Sequence, residues 1–151
     1  MTINPFDLKS ALLAKHAQHV VLVHFPIALF ISSVVFDLLA IWRNSRSLAR
    51  AAYYNLIGAA ITALAAVFTG VLAWQLQLEG ERLRGNLRLH LGLGASAAIL
   101  IWTLAWWRTR QARADSSNLA AGYWALSFIA VLVVALTGHL GGILSGVEVP
   151  N

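Results

Sequence analysis

Four long apolar stretches separated by short polar segments dominate the hydrophobic pattern of the chain. Each is close to or longer than the roughly 20 residues that cross a bilayer core as a helix. Asp37 is the only charged residue within them. The pattern predicts four membrane-spanning helices, at about 17–42, 53–76, 89–107 and 119–147.

Tryptophan and tyrosine side chains cluster near the predicted span ends, as an aromatic belt at a membrane interface requires. Ahead of the first span, Asn4 and Pro5 are typical of a helix start, and they predict a short interfacial helix in residues 1–16. The fold class is therefore all-α: an integral membrane four-helix up-down bundle over 17–151 with a short N-terminal interfacial helix.

Composition supports a membrane location and limits the chemistry. Of the 151 residues, 59% are hydrophobic and 11% charged, too apolar a balance for a soluble domain. Cysteine is absent, which excludes disulfides, thiolate metal sites, iron–sulfur clusters and covalent c-type haem. The net charge of +5 comes from arginines at the ends of apolar runs, so we interpret it as a topology signal and expect lipid, not nucleic acid, as the partner.

The distribution of basic residues predicts the orientation. The first and third loops carry six arginines, whereas the central loop carries three and the N-terminal segment two lysines. Because loops rich in Lys and Arg stay in the cytoplasm, we expect a multi-pass protein of the bacterial inner membrane with both termini extracytoplasmic.

The run HVVLVHFPIALF, residues 19–30, places two imidazoles and Pro26 in an otherwise apolar stretch. An ionisable residue inside a membrane helix indicates function. In an up-down bundle all five histidines belong to one membrane face, namely His16, His19, His24, His90 and His139. One turn deeper than His24 and His90 lie Ala28 and Gly94, which would leave a slot beside the imidazoles.

A slot between neutral imidazoles on facing helices is what a b-type haem requires. The first and third spans are diagonal, so His24 and His90 are the preferred axial pair. His139 could replace either one, or hydrogen-bond a propionate or a quinone, while His19 lies roughly 140° around the helix from His24. Guanidinium groups at the rim would hold the propionates, from Arg82, Arg84 and Arg88.

Two alternatives to haem remain open for these residues. His24, His90 and His139, with or without His19, could bind copper, zinc or iron as a non-haem site. The protein could also be a cofactor-free accessory subunit whose polar residues fix assembly. Asp37 lies near the opposite face, where we expect a structural hydrogen bond to Asn55 or a serine. No catalytic residue is predicted.

Short internal matches suggest a duplicated hairpin. Thr69-Gly70 near the end of the second span corresponds to Thr137-Gly138 near the end of the fourth. His24 and His90 stand at similar distances before a Trp-Arg pair, so a parallel repeat would make these two histidines equivalent.

The run HVVLVHFPIAL with Asp37 downstream, His90 at the start of the third span and the terminal TGHLGGIL resemble the bacterial membrane-protein family named domain of unknown function 2231. The resemblance implies four spans and a location in the bacterial envelope. From the histidines we expect a b-type cytochrome subunit, not a stand-alone enzyme, that transfers electrons near the outer face. Its partners would be quinol, a larger redox complex or an extracytoplasmic cytochrome.

Overall fold

A computed structural model describes residues 15–77, 85–113 and 119–145. Within these ranges the chain forms four helices, each long and apolar enough to cross a membrane. This confirms the predicted all-α four-helix bundle. The helices are α1 (Lys15–Arg43), α2 (Arg46–Gln77), α3 (Gly85–Arg113) and α4 (Ala121–Leu144). The expected N-terminal interfacial helix lies outside the described residues, apart from the first residues of α1.

The helices extend beyond the apolar spans at the arginine-rich loops. Helix α2 begins at Arg46, seven residues before the predicted span, and α3 continues to Arg113. Long arginine side chains can reach the interface from such helix ends, so helical backbone continues where the apolar pattern stops.

A tight turn joins α1 to α2. Asn44 adopts a left-handed conformation with φ of 47°, which asparagine tolerates better than most residues. The Ser45 hydroxyl accepts a hydrogen bond from the backbone N–H of Leu48 at 3.4 Å and so caps α2. The two residues between the helices hold α1 and α2 antiparallel.

The helices pack as two hairpins. Helix α1 packs mainly on α2, and α4 packs mainly on α3. Helices α2 and α3 join the two hairpins, while α1 and α4 meet less extensively. One stripe of buried residues on each helix faces the centre. The stripes comprise Pro26, Phe30, Ser33 and Asp37 on α1, Ala52, Leu56, Ala59, Ala60 and Ala63 on α2, Ala97, Ile101, Leu104 and Ala105 on α3, and Tyr123, Ser127, Ala130 and Val134 on α4.

The buried stripes occupy only the half of the bundle beside the arginine-rich loops, which we call the arginine half. The other end comprises 19–25, 64–75, 85–96 and 135–145, and we call it the histidine half. Among these residues none is buried. Burial of the described residues is therefore confined to one end of the bundle.

Candidate functional site

His19 contacts α2 through its ring nitrogen. His19 Nδ1 lies 3.0 Å from Thr69 Oγ1. The Thr69 hydroxyl donates to the carbonyls of Ala65 and Ala66 at 2.9 and 3.1 Å. With its single proton donated to a carbonyl, Thr69 Oγ1 accepts from the His19 tautomer that carries its proton on Nδ1. In the neutral ring the lone pair is then on Nε2.

His90 makes the corresponding contact with α4. Its Nδ1 lies 3.1 Å from the carbonyl oxygen of Thr137. A carbonyl only accepts, so His90 Nδ1–H donates and the lone pair is again on Nε2. A hydrogen bond from Nδ1–H to a backbone carbonyl is the usual way of orienting a metal-ligating imidazole.

Both imidazoles lie against glycines of the neighbouring helix. A Cβ atom at Gly70 would lie 3.0 Å from His19 Cε1, and one at Gly141 would lie 3.2 Å from His90 Cε1. Side chains at these positions would displace the rings, so glycine allows each histidine to pack against the partner helix.

The two hairpins therefore hold their histidines alike, but the equivalent residues are His19 and His90. Each contacts the threonine of a Thr-Gly pair on the second helix of its hairpin. His24 does not take the place that the internal matches suggested, because it lies on another face of α1.

His24 lies on the outward face of α1. The buried stripe of this helix passes through Phe30. By helical geometry, position 24 lies roughly 120° around the helix from Phe30, whereas position 19 is nearly in line with it. The exposed His24 donates from Nδ1 to the carbonyl of Val20 at 2.6 Å, one turn earlier on its own helix. Of the expected pair, His90 contacts the neighbouring helix of its hairpin and His24 is exposed, while the histidine of α1 that contacts a neighbouring helix is His19.

The remaining predicted residues are distributed differently from the expectation. His139 and Ala28 are exposed on outward faces, so Ala28 does not form a wall of a central slot. Gly94 is half-buried, and a Cβ there would make an ordinary 3.7 Å contact with Thr137. Arg88 is exposed on α3. The side chains of His16, Arg82 and Arg84 lie outside the described residues.

The predicted metal set is not assembled within the described ranges. His24 and His139 are on outward faces, whereas His90 faces inward. No group of three or more ligating side chains occurs in the part of the chain that the structure describes. The pattern of spans alone did not reveal this, because it does not fix how each helix is rotated.

A buried polar cluster that the sequence did not predict lies in the arginine half. Arg108 Nη2 donates to Asp37 Oδ1 at 2.7 Å, and the Tyr123 hydroxyl donates to Asp37 Oδ2 at 3.0 Å. Asp37 and Tyr123 are each 2% exposed, and the Arg108 side chain is 12% exposed. We call these residues the Asp37 triad. It connects α1, α3 and α4.

Neighbouring groups hold the triad in place. Arg108 Nη2 also approaches the Ala49 carbonyl of α2 at 3.5 Å, so all four helices meet here. The Tyr123 ring is contacted edge-on by Trp107 and Trp124. The partners of Asp37 are thus Arg108 and Tyr123, not Asn55 or a serine as expected. Asp37, Arg108 and Tyr123 lie at similar distances from the arginine-rich loops. This is the sequence signal that could have indicated that the three side chains meet.

The model of a family described as "Predicted membrane protein (DUF2231)" matches residues 15–148. The chain belongs to this DUF2231 family. The match includes all four helices and agrees with the resemblance carried by the HFPIAL run. It also supports a multi-pass location in lipid. No curated protein and no solved structure matches the chain.

This DUF2231 protein thus has two polar sites at opposite ends of the bundle. His19 and Asp37 are eighteen residues apart on α1, and His90 and Arg108 are eighteen apart on α3. At the helical rise this separation is about 27 Å, nearly the thickness of a bilayer core. The triad links helices, whereas His19 and His90 lie in the half of the bundle where none of the described residues is buried.

Proposed function

We propose that the protein is a small b-type cytochrome subunit that transfers single electrons near one membrane face, with His19 and His90 as the haem ligands. The observation that carries the proposal is that these two are the inward-facing histidines of α1 and α3, each with Nδ1–H donated to a threonine of its own hairpin. Both rings then have their lone pair on Nε2, the form in which an imidazole binds iron.

The low burial of the histidine half supports the proposal. A porphyrin needs space between helices, and none of the described residues in this half is buried. In an up-down bundle α1 and α3 are diagonal, so ligands from these two helices approach a central group from opposite sides. The arginine half, with its buried Asp37 triad, keeps the four helices together.

When bound, haem would supply one-electron chemistry. His19 and His90 would hold and orient it, while Thr69 and Thr137 would fix the protonated ring nitrogen and so tune ligand basicity. Apolar neighbours would exclude water and influence the redox potential. Arg88, together with Arg82 and Arg84 of the same segment, remains the candidate holder of the propionates.

We further propose that the protein lies in the bacterial inner membrane with the histidine half and both termini extracytoplasmic. The six arginines of the first and third loops support this orientation. The electron donor would be quinol or an adjoining subunit of a larger redox complex, and the acceptor an extracytoplasmic cytochrome.

A cofactor-free accessory subunit is the second candidate function. The bonds from His19 to Thr69 and from His90 to Thr137 connect helices within each hairpin, which is how polar residues strengthen packing in membranes. In that case both histidines are structural, and their loss destabilises the hairpins without affecting any cofactor.

A pyridine haemochrome assay on the purified protein distinguishes the two. The proposal expects b-type haem in the wild type and its loss in His19→Ala and His90→Ala. His24→Ala and His139→Ala are matched controls on outward faces and should keep their haem. Wild-type protein without haem, expressed with a full haem supply, would refute the cytochrome proposal and favour the accessory subunit.

A further inference from the structure

Two buried polar atoms near the Asp37 triad have no hydrogen-bond partner in the described part of the chain. They are Ser33 Oγ, on a residue that is 1% exposed, and Gln111 Oε1. Many other hydroxyls in these helices donate to a carbonyl one turn earlier, as those of Thr109 and Ser127 do. Ser33 does not make this bond, which leaves its buried hydroxyl without a partner among the described residues.

The two atoms flank the triad along the membrane normal. Ser33 is one turn before Asp37 on α1, and Gln111 is three residues after Arg108 on α3. Because α1 and α3 run in the same direction, Gln111 lies toward the arginine-rich face and Ser33 toward the bilayer centre. The row of polar groups covers about 10 Å at the helical rise. Toward the bilayer centre, the next buried residue of this stripe is the apolar Phe30, so the row of polar groups ends at Ser33.

Arg108 has unused donors within this row. Its hydrogen bonds to Asp37 and to the Ala49 carbonyl both come from Nη2. Neither of these bonds uses Nε or Nη1. A guanidinium group keeps all of its N–H donors protonated, so unpaired ones in a low-dielectric region require a polar partner.

We propose that a narrow, water-filled inlet opens at the arginine-rich face and runs past Gln111 and Arg108 to Asp37, ending at Ser33. Water can both donate and accept, so it matches the orphan acceptor of Gln111, the spare donors of Arg108 and the hydroxyl of Ser33. The inlet gives the Asp37 carboxylate contact with the aqueous phase of that face alone. This inference does not depend on the histidine half.

Thiol labelling tests the inlet, because the chain contains no cysteine. Ser33→Cys introduces a side chain of similar size, and Ala105→Cys is the control. Ala105 is 3% exposed and lies three residues before Arg108, at nearly the same depth as Ser33. A small charged methanethiosulfonate reagent would be added to either side of sealed membrane vesicles.

We expect Ser33→Cys to react at least about tenfold faster than Ala105→Cys, and only from the arginine-rich side, because the reacting thiolate forms only where water reaches the sulfur. Gln111→Cys, at the mouth of the inlet, should react faster than both and provides the test if Ser33→Cys does not fold. The inlet proposal would be overturned if Ser33→Cys were labelled no faster than Ala105→Cys. It would also be overturned if Ser33→Cys were labelled from the histidine side. So would Gln111→Cys reacting no faster than Ala105→Cys.

Discussion

Removing one charge of the buried ion pair should destabilise the protein far more than removing both. In Asp37→Asn the amide oxygen still accepts from the Tyr123 hydroxyl, so the main loss is the 2.7 Å ion pair with Arg108. Breaking one side of a buried pair costs about 3–5 kcal/mol, because a desolvated charge remains without its partner. Arg108→Met leaves the Asp37 carboxylate in the same position and should cost a similar amount.

The double variant Asp37→Asn/Arg108→Met contains neither charge. We expect it to be more stable than either single variant, with a coupling free energy of at least about 2 kcal/mol. Unfolding in dodecyl maltoside by added SDS, followed by circular dichroism, measures these differences. Arg110→Met is the control, since Arg110 is exposed over the Trp106 ring and its loss should change stability by no more than about 0.5 kcal/mol. The reasoning would be refuted if either single variant were destabilised as little as Arg110→Met. It would also be refuted if the destabilisation of the double variant equalled the sum of the two single variants.

Two further substitutions test local contacts. Gly141→Ala places a Cβ 3.2 Å from His90 Cε1, so it should lower haem content severalfold. Gly138→Ala is the control, because its Cβ would meet nothing within 4 Å and its haem content should not change. Equal haem content in the two purified variants would contradict this prediction. Tyr123→Phe removes the hydroxyl that donates to Asp37 at 3.0 Å. In the same SDS titration it should lower the free energy of unfolding by about 1.5–3 kcal/mol. A loss below about 0.5 kcal/mol would show that this hydrogen bond contributes little to stability.

The number and type of helices could be predicted because the bilayer imposes one rule on every span. Each span needs a long apolar run, and only Asp37 interrupts any of them. The helix ends were less predictable. Arg46 and Arg113 are helical although they lie outside the apolar runs, because arginine side chains reach the interface while the backbone stays helical.

His24 was preferred on α1 because the span pattern does not fix helix rotation. Pro26 drew attention to His24, yet the buried stripe through Phe30 and Asp37 is in line with His19. Phe30 and Asp37 are seven residues apart and therefore lie on one face of α1, so their spacing indicated which face of the helix is buried. Position 19 continues the same face toward the histidine half.

The Asp37 triad was missed because Arg108 was counted only as a topology signal. An arginine at a span end can serve both roles, since its long side chain reaches inward as easily as outward. Its partner on α1 is 71 residues away in the sequence. Only tertiary packing turns both side chains toward each other on inward faces.

Low-temperature electron paramagnetic resonance of the oxidised, purified protein tests most directly whether His19 and His90 ligate one haem. The account predicts a low-spin ferric signal typical of two imidazole ligands, which persists in His24→Ala and is lost or converted to high spin in His19→Ala and His90→Ala. A signal that disappears in His24→Ala and survives in His19→Ala would contradict it, as would a wild-type protein that contains no haem.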